Sequence, residues 1–262
     1  NVDAASDTVD INNLTSDMTV KVQDGAANYA TIALDYTDDA TANIKFGDSA
    51  TVVATDVSTT DAQTVNITSI GGSDTTLNDV TLDAADNDYL TIASGANDSG
   101  LILDVFNADL TQTVSVTTTH TNSHIELGVI GTDDFLPKAT KLTTLTVSAG
   151  GDTSSDIQIA DLGEHASGAA ALLETVTITA ADEAQVFMGA IDAAAANLTS
   201  ITATASTSGS IINMDGIITA ASATSITASA VSGAEVDFAG DVDIATIGTI
   251  TLSGAGTINL DS

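Results

Sequence analysis

The chain has no cysteine, no tryptophan, a single proline and only four cationic side chains, all of them lysine. Each absence removes a class of protein. Without cysteine there is no disulfide framework and no thiolate metal site. With Lys21, Lys45, Lys138 and Lys141 as the only fixed cations, nucleic acid is excluded as a partner, because phosphate contact depends on Lys and Arg. Docking on anionic lipid fails on the same ground. No apolar run reaches the roughly 18 residues that mark a membrane-spanning helix, and no N-terminal segment reads as a signal peptide. Aromatic residues make up 3% of the chain, so any core must be narrow and built from Ala, Val, Ile and Leu.

Acid is what the chain has in excess. Asp and Glu number 36 against the four lysines, for a formal charge of −32. Nearly all are Asp, the turn-forming acid. Self-repulsion at this charge opposes compaction and assembly unless cations neutralise it. A cysteine-free, Asp-heavy composition is the pattern of bacterial proteins that fold outside the cell around calcium, a hard cation that prefers oxygen ligands.

One short strand pattern recurs at near-constant spacing: LTVSA at 145–149, VTITA at 176–180, ITATA at 201–205, ITASA at 226–230 and ITLSG at 250–254. Most copies carry another apolar residue three places earlier, at Leu142, Leu173, Leu198 and Ile247, with Ala223 as the small exception. A second alternating stretch follows at Ile157/Ile159, Val186/Met188, Ile212/Met214, Val236/Phe238 and Ile258/Leu260. A third apolar point follows at Leu162, Ile191, Ile217 and Val242/Ile244. Period-two alternation is the strand signature, and self-similarity at a period in the twenties marks a solenoid. The expected fold is all-β, a parallel β-helix with rungs of about 25 residues and three short strands per rung. Stacking then puts Leu145, Val176, Ile201, Ile226 and Ile250 in one interior column. Thr146, Thr177, Thr202, Thr227 and Thr251 form an outward threonine ladder.

A β-sandwich would not repeat one strand sequence. A leucine-rich horseshoe shares the LxxLTV text but needs Asn or Cys in the turn after the strand. Gly150, Ala181, Ser206, Val231 and Ala255 stand there instead.

Residues 111–262 read as the regular solenoid, and residues 1–110 as an irregular β-rich segment. Either the solenoid continues through 1–110 with longer insertions, the favoured expectation, or a small β-domain precedes it. There LNDVTLDA (77–84) and LTQTVSVT (110–117) fit the repeat. MTVKV, ATIALDY, ANIKF, VNITSI, YLTIASG and LILDVF read as further strands. ASGAAALLE (166–174) and DAAAANL (192–198) are Ala-rich, either single helical turns or corners before the next strand. The last residues, ITLSGAGTINLDS, stop in mid-pattern without a polar capping repeat, so the chain is expected to be a segment of a longer polypeptide or to stack on other subunits.

The Thr/Ala/Ser/Asp-rich, arginine-free text with LTTLTV and LTSIT strands resembles bacterial surface-layer proteins of the RTX, type I-secreted group, and is similar to large RTX adhesins. In that family calcium-dependent β-solenoid lattices coat the cell surface. The resemblance implies an extracellular, cell-surface protein that binds Ca²⁺, assembles with itself and meets cell-surface polysaccharide. The GGxGxD nonapeptide of the family is absent. Its nearest relics, ADNDYL (85–90) and GANDSGLIL (95–103), lack the preceding glycine pair.

Calcium needs carboxylates converging on tight turns. The candidates are Asp86 and Asp88, Asp38 and Asp39, Asp133 and Asp134, and Asp237, Asp241 and Asp243, with 241 and 243 aligned by alternation. The plainer reading of each pair is a solvated turn.

No enzyme motif is present: GxSxG and P-loop patterns do not occur. Lyases acting on uronates need Arg or Lys to neutralise the substrate carboxylate and take a proton. Glycoside hydrolysis needs two carboxylates and, usually, aromatic platforms for sugar, which five Phe and three Tyr provide thinly. His120 and His124 lie about 13 Å apart if both are on one strand, and with His165 they read as surface residues. The expected function is structural: a calcium-stabilised, self-assembling building block of a surface layer or sheath. The alternative is a ligand- or cell-binding module of a large adhesin.

Overall fold

The computed structural model describes residues 8–16, 18–22, 28–47, 52–71, 74–83, 88–107, 111–128, 134–135, 141–162, 172–195, 198–220 and 223–260. The described residues are all-β without a helix, and every strand pairing is parallel. The fold is a parallel β-solenoid of rungs of about 25 residues, as the repeat spacing requires.

Three ladders form its sides. The first runs from Thr19–Val22 through residues 41–46 and 64–69 to Tyr89–Ser94 and Thr113–Thr118. It continues in one-to-one register through Thr144–Ala149, Thr175–Ala180, Ser200–Ala205, Ala223–Ala230 and Ile247–Gly254. The second ladder contains Gly100–Asn107, His124–Leu127, Asp156–Ile159, Gln185–Met188, Ile211–Met214, Glu235–Phe238 and Thr257–Leu260. The third is short: Asp134–Phe135, Asp161–Leu162, Ile191–Ala195, Ile218–Ala220 and Val242–Ile244. Toward the N-terminus single long strands serve more than one side. Asn28–Phe46 and Val52–Ser69 each break register near their middle, between Asp35 and Ala40 in the first and its partner in the second.

Alternation decides which side chains go inside. Leu145, Val176, Ile201 and Ile226 stack as expected, all within 1% of full burial, while Thr146, Thr177, Thr202 and Thr227 face outward in the same strands. The interior is kept full by exchange between sides. Where the first ladder narrows from Ile178 to Ala203 and Ala228, the second keeps a long side chain, Met188 and then Met214, and widens to Phe238 in the rung of Ala228, all of them buried. Each large aliphatic taken from water contributes about 1.5–3 kcal/mol. At the C-terminal end Ile250 and Leu252 are 48% and 49% exposed, because no further strand of the described residues covers them.

The corners are hydrogen-bonded from rung to rung. The backbone N–H of Asp88 donates to Gln63 O, Gln112 to Asp88, Thr143 to Gln112, Glu174 to Thr143, Thr199 to Glu174 and Thr224 to Thr199, at 2.8–3.1 Å. This line satisfies the groups that a corner would otherwise leave unpaired. At the corner after the second ladder the chain passes so close to the rung below that only glycine fits. A Cβ on Gly216 would lie 1.9 Å from Ala190 N, and one on Gly240 would lie 2.1 Å from Gly216 O.

Several expectations for particular segments are corrected. LNDVTLDA does not join the first ladder: Asp74–Asp83 pairs with Gly100–Asn107 and with residues 52–60, and YLTIASG supplies the first-ladder rung instead. All three sides alternate, so alternation alone does not say which side a strand belongs to. In the third ladder the inward residue is Ile218 at 1% exposure, whereas Ile217 is 46% exposed. DAAAANL is not a helical turn through its first half, because Ile191–Ala195 pairs as a strand with Ile218–Ala220. ASGAAALLE lies outside the described residues up to 171.

Inward and outward positions are separable by one pair of substitutions. Ile201→Asp puts an unpaired carboxylate between Val176 and Ile226, at a cost of several kcal/mol. Thr202→Asp points to solvent and should cost under about 1 kcal/mol. Native-state hydrogen exchange should show rungs 176–230 losing protection only in Ile201→Asp. Equal protection in the two proteins would contradict the assignment of faces.

Candidate functional site

Most of the chemistry-bearing side chains lie on the outward face of the second ladder and at the corners. Backbone alternation aims His124, Glu126, Asp156 and Gln158 outward from two adjacent strands, while Ile125, Leu127, Ile157 and Ile159 fill the core. His124 pairs in register with Asp156, and Glu126 with Gln158. His124 Nδ1 lies 2.8 Å from Asp156 Oδ1, and its Nε2 lies 3.4 Å from Glu126 Oε2. Gln158 Nε2 donates to the other oxygen of Asp156 at 2.8 Å. The hydrogen bond to Asp156 is the main cause that raises the His124 pKa above its ordinary value. Burial opposes it, while the charges of Asp156 and Glu126 and the contact with Glu126 add to the rise. Both ring nitrogens are engaged by carboxylates, an arrangement that favours the protonated imidazole.

The spacing of THTNSH hid this arrangement. His120 sits in the corner and only His124 is on a strand. His124 acquires its partner from the next rung, 32 residues on. His165 lies outside the described residues.

The corner between the first and second ladders is a second polar column. Asp98, Asn122 and Asp182 take positive φ of 51–55°, the left-handed conformation that Asp and Asn tolerate better than most side chains. Asn122 Nδ2 donates to Asp98 Oδ1 at 2.8 Å, and the Asn122 N–H donates to Asp152 Oδ1 at 3.0 Å. Donation from Asn122, from the Ser155 hydroxyl and from the Ser154 N–H holds Asp152 below the usual carboxylate range. Beneath the turns Ser99, Ser123, Ser155 and Ser210 are buried, and the hydroxyls of the first three bond to corner carbonyls.

The calcium candidates fall in different places. Asp86 and Asp133 lie outside the described residues. Asp38 and Asp39 fall at the register break of Asn28–Phe46, and Asp134 pairs with Asp161 in the third ladder. The Asp88 carboxylate accepts hydrogen bonds from Gln63 Nε2 at 3.2 Å and from Gln112 Nε2, tying three rungs together at a corner. Asp241 and Asp243 are both exposed, on one side of the third ladder. Asp237 is on the second ladder between Asn213 and Asn259, away from that pair. Its Oδ1 and the Oδ1 of Asn213 are both enclosed without a hydrogen-bond partner. These are two oxygen acceptors on consecutive rungs. Among the described residues no three His, Asp or Glu side chains converge on a metal-sized site.

A groove of about 250 Å³ lies near the N-terminal end, lined by Asp10, Asn12, Ala33, Leu34, Asp35, Ser58 and Thr60. Asp35 accepts the Thr60 hydroxyl at 2.9 Å. Asp10, Asn12 and Asp35 place two carboxylates and an amide on neighbouring strands along its lining.

Compared with known protein families, curated proteins and solved structures, the chain matches none. Its class is therefore defined by its own geometry: a parallel β-solenoid with an acidic surface.

The histidine cluster yields a titration. A raised folded-state pKa means that protonated His124 stabilises the fold. That contribution is fully present below about pH 6.5, the unfolded value, and is lost as pH rises through the folded value. Histidine NMR should give His124 a pKa above that of an ordinary histidine in the native protein. Asp156→Asn should bring it down toward the ordinary value. An unchanged His124 titration in Asp156→Asn would remove Asp156 as the cause.

Proposed function

We propose that this chain is an extracellular structural protein, a self-assembling surface-layer or sheath building block stabilised by calcium, at a bacterial cell surface. The resemblance of its text to RTX-type surface-layer proteins supports this reading. The observation that carries it is the repeated placement of carboxylates at corners and outward positions of a regular solenoid that bears −32. Such a body repels its copies at low ionic strength. Divalent cations remove that barrier more effectively than monovalent salt, since they bridge carboxylates as well as screening them. The enclosed acceptors at Asn213 and Asp237, and the exposed Asp241/Asp243 pair, are the oxygen-rich places that calcium would use. No step of catalysis is assigned to any residue.

A second reading, a ligand- or cell-binding module of a large adhesin, draws on the groove around Asp10, Asn12, Asp35 and Thr60. Its partner would be a cell-surface polysaccharide, whose hydroxyls match those carboxylates and the Asn12 amide.

Calcium dependence separates the readings. Light scattering should show particle growth with millimolar CaCl₂ and reversal by EGTA, at ionic strengths where NaCl has little effect. Asp→Asn at positions 86, 88, 133, 134, 241 and 243 should weaken calcium binding by calorimetry while leaving the β circular dichroism unchanged. Calcium binding of wild-type strength in that sixfold variant would acquit those positions. A wild-type chain that binds no calcium would reduce the acidic surface to a solubility device.

A further inference from the structure

The outward face of the first ladder carries no Asp or Glu from Thr19 to Ser253. In a chain with 36 acidic residues this is a pronounced segregation of charge. From the strand Tyr89–Ser94 onward every outward position except Tyr89, Ala93 and Gly248 is Thr or Ser. The only charges on the face are Lys21 and Lys45, adjacent in register at its N-terminal end. The acids instead flank it, with Asp88 and Glu174 at one corner and Asp98, Asp152 and Asp182 at the other. The hydroxyl-bearing side chains are half-buried by one another and open to solvent.

We propose that this face is the docking surface for a second copy of the chain, packed face to face. The inference rests on the building-block reading and names the surface through which assembly occurs. Electrostatics favours it first: two copies approaching through any other side bring carboxylates together, and like charges juxtaposed across an interface are costly. The area fits as well. Ten strands at about 4.8 Å, each contributing roughly 20 Å of length, make a face of about 900 Å². A specific interface needs about 800 Å² from each partner. The third argument is periodicity. The ladder from Tyr89–Ser94 to Ile247–Gly254 is in one-to-one register without a bulge, so its grid of short side chains is commensurate with an identical grid. Sheets faced with small β-branched residues pack about 10 Å apart with interleaved side chains. The acidic corners become the rim, where calcium neutralises opposed carboxylates at the edge of the contact.

The test places equal charge on two sides of the same solenoid. Ser115→Glu, Thr177→Glu and Thr227→Glu together, on alternate rungs, should hold the protein at 26.1 kDa by sedimentation in millimolar calcium. The matched triple of Thr76→Lys, Gln185→Lys and Thr257→Lys, at outward positions off the first ladder whose register neighbours include Asp156 and Glu235, should assemble like wild type. The lysine version of the first triple should also stay monomeric, which separates blocked packing from added negative charge. In this cysteine-free chain Thr177→Cys supplies one thiol and keeps the fold of the face. Its maleimide reactivity should drop several-fold on assembly. Wild-type assembly by the first triple, or an undiminished thiol rate in assembled protein, would overturn the docking face and leave the building-block reading intact. A wild type that stays at 26.1 kDa in calcium would overturn both. A monomeric wild type that adsorbs through this face to crystalline cellulose or to ice would assign the grid to that surface instead.

Discussion

Parallel stacking in register is the constraint from which the rest of this structure follows. Each rung repeats the path of the one below, so every side chain meets the residue at the equivalent position about 4.8 Å away. Inside, this turns a repeated apolar residue into a continuous column. Outside, it makes a repeated charge costly. The second ladder shows how the conflict is resolved. Asp156 lies between His124 and Gln185, Glu126 between Ile102 and Gln158, and Asp237 between Asn213 and Asn259. No acid of that ladder stacks on another acid from Gly100 to Leu260. Where two acids are partners in register, at Asp134 and Asp161 in the third ladder, Asp161 takes a backbone N–H from Ala190 at 2.7 Å.

The same constraint explains why the acids are nearly all Asp. Carboxylates displaced from the strands go to the corners, and corners call for residues that accept left-handed backbone and bond to nearby N–H groups. Asp98 and Asp182 take the left-handed backbone, with Asn122 in the same column, and Asp152 accepts the N–H groups of Asn122 and Ser154. The charge is thus a consequence of turn chemistry as well as a surface property. The first ladder, which needs no turn residues, is left mainly to threonine and serine, and its lack of acid against an acidic rim gives the solenoid a polarity of faces.

The interior of residues 145–254 was legible because strand length, spacing and alternation agree there. Leu145, Val176, Ile201 and Ile226 are read directly as one column, and the structure stacks them so. Legibility failed where one signal stood alone. LNDVTLDA has the alternation of the first ladder but lies on another side, and the spacing that would have identified YLTIASG was obscured by the long strands before it. The offset between Ile217 and Ile218 turns on the tight glycine corner at Gly216, whose fit depends on the backbone of the rung below.

By itself the sequence determined the solenoid class, the repeat length, the interior columns and the acidity of the surface, because period and alternation are local properties of the text. The tertiary structure decided which outward residues become neighbours. His124 meets Asp156 across 32 residues, Asp88 meets Gln63 and Gln112 on the rungs either side, and the acid-free outward positions of ten strands join into one face. Those pairings depend on loop lengths that vary from rung to rung, and loop length cancels only when the strands are laid in register. Charge that looks evenly scattered along the chain is therefore sorted by side only in the folded protein.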